Sequence, residues 1–119
     1  MPKITGIMYA TVDGESLPMS EGSGKLNIGG KERTVKKGGN RVRGYVEKVM
    51  EATFECTLDH TADVDLIAMR DWVDKVLVVE TDTGVRYSVA NACVTNPHEL
   101  SESEGEVSFA MAGDPAIQI

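Results

Sequence analysis

Two cysteines, Cys56 and Cys93, are all this 119-residue sequence contains, and neither has a second cysteine at a metal-clip or redox spacing. That removes zinc-ribbon and CxxC chemistry and leaves free buried thiols as the plain expectation. No apolar run approaches the ~20 residues a membrane-crossing helix needs. The first residues, Met1-Pro2-Lys3-Ile4-Thr5-Gly6, lack the apolar core of a secretion signal, so residence in the cytoplasm is expected. Glycine-rich phosphate loops are missing too: Gly29-Gly30 and Gly38-Gly39 form neither a GxGxxG nor a P-loop. The two histidines, His60 and His98, are far apart, and neither has a flanking motif that specifies a nucleophile. These absences argue against an enzyme: no catalytic, metal or cofactor-binding set can be named. No repeat or low-complexity segment is present.

What is present is ordinary in amount and unusual in arrangement. Hydrophobic residues make up 41% and charged residues 26%, and the length suits one domain, taken as 1–119. The net charge of −7 is segregated. Residues 25–48 carry Lys25, Lys31, Arg33, Lys36, Lys37, Arg41, Arg43 and Lys48 against only Glu32 and Glu47. From Glu51 onward, 14 acids face three bases. A basic segment on an acidic body can complement another copy of itself, or it can be a solvated loop with no partner.

Most of the chain reads as strand. Gly6–Val12 ends at Asp13-Gly14, a strong hairpin dipeptide, with Glu15–Met19 as the return arm. Lys25–Ile28 and Glu32–Val35 flank Gly29-Gly30, which reads as another hairpin turn. The clearest signal runs from Val46 to Leu58. Met50, Ala52, Phe54, Cys56 and Leu58 alternate with Glu51, Thr53, Glu55, Thr57 and Asp59, as in one long strand with a buried face and an acidic face. A short helix follows, capped by Thr61 or Asp63, with Val64, Ile67, Ala68 and Trp72 at helical spacing and Trp72 as a core anchor. Val76–Glu80 and Val85–Val94 form a second hairpin, Asn96-Pro97 breaks the pattern, and Glu106–Met111 is the last strand. The fold class is mainly β, a sandwich or partly open barrel with one short flanking helix. A flexible, basic, glycine-rich arm protrudes over about 20–43.

In this order the sequence resembles the tail tube proteins of contractile-tailed phages, in particular the Mu-like family. The features are Ala10-Thr11-Val12-Asp13-Gly14, the Gly/Lys/Arg arm, Arg43-Gly44-Tyr45-Val46, and Glu55-Cys56-Thr57-Leu58 with His60-Thr61-Ala62-Asp63. Val78-Val79-Glu80-Thr81, Gly84-Val85-Arg86-Tyr87, Ala90-Asn91-Ala92 and Glu104-Gly105-Glu106-Val107 complete them. The resemblance covers nearly the whole chain. It implies a virion structural protein that self-assembles, as hexameric rings stacked into a tube inside a contractile sheath, and serves DNA ejection. By the same resemblance its partners are itself and the sheath, baseplate and tape-measure proteins, with DNA in transit, not specifically bound, and no membrane. Its place is the virion tail, assembled in the host cytoplasm. Related folds occur in type VI secretion tubes and pyocin-like particles, so a prophage or a tail-like bacteriocin is an equal source.

Two residue sets follow as candidate sites. The arm residues Lys25, Lys31, Arg33, Lys36, Lys37, Arg41 and Arg43 would lie on a neighbouring subunit's acidic body. The acidic face, Glu47, Glu51, Glu55 and Asp59, would line a conduit, where like charge keeps phosphates from adhering. The edges of the long strand would invite pairing with another chain. Two other readings stand beside these. The basic 31–43 stretch could grip nucleic acid, although no aromatic is interleaved before Tyr45. His60 with Asp59, Asp63 and Asp65 could be a mixed metal site, against the plainer reading that acids cap the helix.

Overall fold

The Ala52–Leu58 alternation builds the centre of the fold. In the computed structural model, which describes residues 1–96 and 98–119, Ala52, Phe54, Cys56 and Leu58 are buried, while Glu55 and Asp59 are exposed. Successive side chains of a strand point to opposite faces, so one row joins the core and the other stays in solvent.

The elements run β1 (Met8–Val12), β2 (Glu15–Ser16), β3 (Lys25–Asn27), β4 (Gly30–Gly38), β5 (Arg41–Met50), β6 (Ala52–Asp59), α1 (Leu66–Arg70), β7 (Lys75–Thr81), β8 (Arg86–Val94), β9 (Leu100–Ser101), β10 (Glu106–Gly113) and β11 (Ile117–Gln118). The body is one sheet path in the order β2-β1-β7-β8-β10-β6-β3, with β11 on β8 and β9 on β10. All its pairings are antiparallel. β8 joins β7 through Leu77↔Val89 and passes to β10 through Met111↔Val94, so the sheet folds over on itself there. Inside sit Val12, Phe54, Leu58, Leu77, Val79, Val89, Val107, Phe109 and Met111, all fully buried. Trp72 packs against this core, its ring edge-on to Phe109 at 6.3 Å and 83°. The fold is mainly β with one short helix, as the sequence predicts, and its sheets stay open.

The Asp13-Gly14 turn forms as expected. Asp13 (φ 49°) and Gly14 (φ 88°) both take the left-handed conformation that a two-residue turn of this kind needs. The Asp13 carboxylate then accepts a hydrogen bond from the Val76 N–H at 2.8 Å and faces Lys75 Nζ at 3.4 Å, tying the turn to β7.

Three sequence expectations are corrected. Gly29-Gly30 is not a hairpin turn: β3 pairs with β6, and β4 pairs with β5. The Val46–Leu58 strand divides at Glu51, with its first part in the separate β4–β5 sheet and its second in the body. The helix is one turn only, and Asp65 caps it, not Thr61 or Asp63; its Oδ1 accepts from the Ala68 N–H at 3.1 Å. Ile67 and Ala68 consequently face solvent, and Met69 supplies the buried contact. Pro97, expected to break the strand pattern with Asn96, lies outside the described residues.

Candidate subunit interface

The β4–β5 hairpin is a sheet without a core. Every non-glycine residue from Gly30 to Met50 is exposed. Two-stranded hairpins are marginal in water unless something covers a face. Here the ladder is long, nine residues against ten, and in register from Gly30↔Met50 to Lys36↔Gly44. A bulge at Arg43 precedes the tip, where Gly39 (φ 60°) takes the first central position of a two-residue turn. At ~3.4 Å per residue, a ten-residue strand reaches ~34 Å. Such a hairpin accounts for much of the 62 Å long axis of the molecule.

Its root is anchored by Gly29. A Cβ there would lie 2.6 Å from the Met50 carbonyl oxygen and 2.8 Å from the Ala52 nitrogen. The residue also has φ 71°, so glycine alone lets the outgoing and returning chains meet at the body.

The register places side chains on two faces. Directly opposed residues share a face, so Val35, Tyr45, Val42 and Lys37 stand together near the tip, with Arg33 and Glu47 behind them. Tyr45, Val42 and Val35 are 63%, 60% and 54% exposed, an apolar cluster presented outward. Towards the root, Glu47 is held between Lys31 at 3.3 Å and Arg33 at 3.1 Å. Towards the tip, Lys36, Lys37, Arg41 and Arg43 make no ion pair among the described residues. The distal end is therefore apolar on the face of Val35, Tyr45 and Val42, with Lys37 beside them, and positive on the other face, where Lys36, Arg41 and Arg43 stand.

The sequence-predicted arm is thus only partly what protrudes. Lys31, Arg33, Lys36, Lys37, Arg41 and Arg43 lie on the hairpin, whose bounds are later than 20–43. Lys25 does not: it belongs to β3 in the body, opposite Glu55. The four predicted acidic residues also separate. Glu55 and Asp59 share the outer face of β6, Glu51 sits at the junction, and Glu47 is on the hairpin, paired with bases. Nor is β6 an edge strand, since β3 and β10 flank it; the sheet path ends at β2 and β3, and β4 and β5 pair only with each other.

The outer face of β6 is completed by β10, which the sequence reading did not connect to it. Thr57 lies opposite Ser108, Glu55 opposite Ala110 and Asp59 opposite Glu106. The result is a surface of hydroxyls, small residues and acids. Partial burial pushes the Glu106 carboxyl above its ordinary range, and the nearby charges of Glu104 and Asp59 push the same way. The signal was present as the row Glu106, Ser108, Ala110 between Val107, Phe109 and Met111, but its pairing with β6 is long-range.

Comparisons with known proteins identify the family and the fold. A sequence model of the family described as "Phage tail tube protein" matches residues 1–118. The chain belongs to the phage tail tube protein family. A curated relative is the Mu-like prophage FluMu tail tube protein of Haemophilus influenzae (strain ATCC 51907 / DSM 11121 / KW20 / Rd), 35% identical over 107 residues, 90% of this chain and 88% of that protein. Among solved structures, the cap that terminates the tube of the anti-feeding prophage has the same fold, with a TM-score of 0.70 over 100% of this chain and 91% of that one, at 12% identity. Membership in the tail tube family makes this chain a structural component of a phage tail. It also gives the coreless hairpin a context, because a tube subunit associates with copies of itself.

Proposed function

We propose that this chain assembles into stacked, six-membered rings forming the hollow inner tube of a contractile tail. The observation that carries this reading is the β4–β5 hairpin, exposed along its whole length and crowned by Val35, Tyr45 and Val42. Three exposed apolar side chains cost free energy in an isolated subunit and become favourable when a neighbour covers them. The hairpin and the acidic body are unlike surfaces on one chain. Contacts between unlike surfaces are heterologous and either close into rings or continue as filaments.

Lining the lumen falls to the outer face of β6 and β10. Glu55, Asp59 and Glu106 are acids there, and Thr57 and Ser108 supply hydroxyls without apolar bulk. Such a wall repels phosphate and offers no stacking surface, so DNA passes without being held. The sheath, baseplate and tape-measure proteins would be the other partners, and the host cytoplasm the place of assembly. Nothing in this role requires catalysis.

Nucleic-acid binding by the hairpin is the rival reading, favoured by the four basic side chains at the tip that make no ion pair among the described residues. Against it, one face of that tip is apolar, with Val35 and Val42 flanking the single Tyr45, which suits a protein surface better than a phosphate backbone. Electron microscopy of the purified protein across concentration and salt tests the proposal. Hollow tubes of uniform diameter are expected from the intact chain. Replacing residues 30–50 by a short Gly/Ser turn should leave a folded monomer, since the hairpin's two ends already meet at Gly29. Normal tubes from that variant would overturn the proposed role of the hairpin. Gel shift with short duplexes by the intact monomer would favour the rival.

A further inference from the structure

A groove of about 670 Å³ separates the β1–β2 turn from α1. Its floor is apolar, formed by Leu17, Val64 and Trp72, with Met69 behind them. Asp13, Glu15, Asp63 and Asp65 border it, and the one base, Lys75, is engaged by Asp13 at 3.4 Å. The groove is thus apolar within and negative at its rim. The hairpin tip is the complement, with Val35, Tyr45, Val42 and Lys37 on one face and Lys36, Arg41 and Arg43 on the other, so that a tip inserted between the two acidic borders presents a base to each. The chain's own hairpin is exposed throughout, so it does not fill its own groove.

From this complementarity we infer that the groove between the β1–β2 turn and α1 is the receptor for the hairpin tip of a second copy of this chain. The inference rests on the hairpin-mediated assembly proposed above and adds where the hairpin goes. Tyr45 enters the apolar floor, as aromatic anchors do at the centres of protein interfaces. The basic side chains meet the rim, which fixes orientation and speeds encounter. A volume of this size lies within the range of clefts that enclose a ligand of several side chains' bulk. Because rim and tip are solvent-accessible charges, assembly weakens as salt screens them.

Reciprocal charge exchange tests it. Glu15→Lys with Asp63→Lys changes two exposed rim residues that make no side-chain hydrogen bond or ion pair among the described residues, and it spares Asp13 and the helix cap Asp65. Lys36→Glu with Lys37→Glu changes the tip. Each pair alone should raise the critical concentration for tube formation at least about tenfold. All four together should return it to within about threefold of the unmodified chain, since coupled charges are non-additive. Unchanged circular dichroism and melting temperature show that each variant is folded. Should the rim variant fail that check, Lys37→Cys with Ser16→Cys, which keeps Tyr45, serves instead: tubes exposed to mild oxidant should yield a covalent ladder of subunits. No restoration by the fourfold variant, or tubes that give no ladder, overturns the groove while leaving hairpin-mediated assembly standing. Normal tubes from the hairpin-deleted chain would overturn both.

Discussion

Tyr45 lies directly opposite Val35 across the β4–β5 ladder, and both side chains are more than half exposed. An aromatic facing a β-branched residue is a stabilising cross-strand pair, so it helps the hairpin hold its shape before anything covers it. In the assembled state the same pair would be an anchor. Tyr45→Ala should leave the monomer's unfolding midpoint nearly unchanged, because the side chain touches no core. Its effect should appear in assembly, as a rise of about tenfold or more in critical concentration, which corresponds to ~1.4 kcal/mol. Sedimentation across a concentration series measures this directly. An unchanged critical concentration would mean that the tip is not buried between subunits.

Gly29 sets the angle at which the hairpin leaves the body. A Cβ at this position runs into backbone atoms, which cannot swing aside as a flexible side chain could. The positive φ adds strain for any L-residue. Gly29→Ala should therefore lower monomer stability by about 1–3 kcal/mol and reduce tube yield beyond what that loss explains. Urea unfolding, with tube yield compared at equal folded fraction, separates the two effects. Full tube yield would show that the exit angle is unimportant.

The sequence carried the body of the fold more plainly than the hairpin, for a physical reason. Ala52–Leu58 and Val107–Met111 alternate because one face of each is buried, and that pattern places both in a sheet. Val46–Met50 alternates as well, yet neither of its faces is covered within the chain. Periodicity alone could not separate it from β6, so the two merged into one strand. The break at Glu51 depends on Gly29 packing against the returning chain, a contact between distant residues. Likewise Lys25–Asn27 looked like half of a local hairpin, but β6 offered a free edge and took it. Of the candidate site, the basic cluster was legible from charge. The groove was not, because it joins residues near positions 12–18 to residues 63–75.

Asp13 provides a pH-dependent check on the rim of that groove. Its carboxyl lies below the ordinary range, first because the Val76 N–H donates to it and further because Lys75 is close. A depressed folded-state value means that the ionised form stabilises the fold above the unfolded value of about 3.9. That contribution disappears as pH falls through the lower folded value. Asp13→Asn keeps a residue that tolerates positive φ, so the turn should survive while the charge is lost. Its melting temperature should fall below that of the unmodified chain at neutral pH, and the gap should close as the pH falls below the ordinary carboxylate range and the depressed folded-state value is passed. A gap independent of pH would assign the effect to turn geometry and not to the carboxylate.

Phe109 makes the sharpest contrast with Tyr45. It is 1% exposed, stacked on His98 at 5.4 Å and touched edge-on by Trp72 at 6.3 Å. Removing a buried ring loses its transfer energy and leaves a cavity that surrounding strands fill poorly. Phe109→Ala should cost about 3–5 kcal/mol by urea denaturation, a large share of the ~5–15 kcal/mol that holds a domain of this size together. Tyr45→Ala should cost the monomer under about 0.5 kcal/mol, as surface changes do. One aromatic thus serves folding and the other serves association, and the two assays should rank them in opposite order. Equal losses of monomer stability would mean that the hairpin is already packed within a single subunit, leaving no exposed apolar surface to drive assembly.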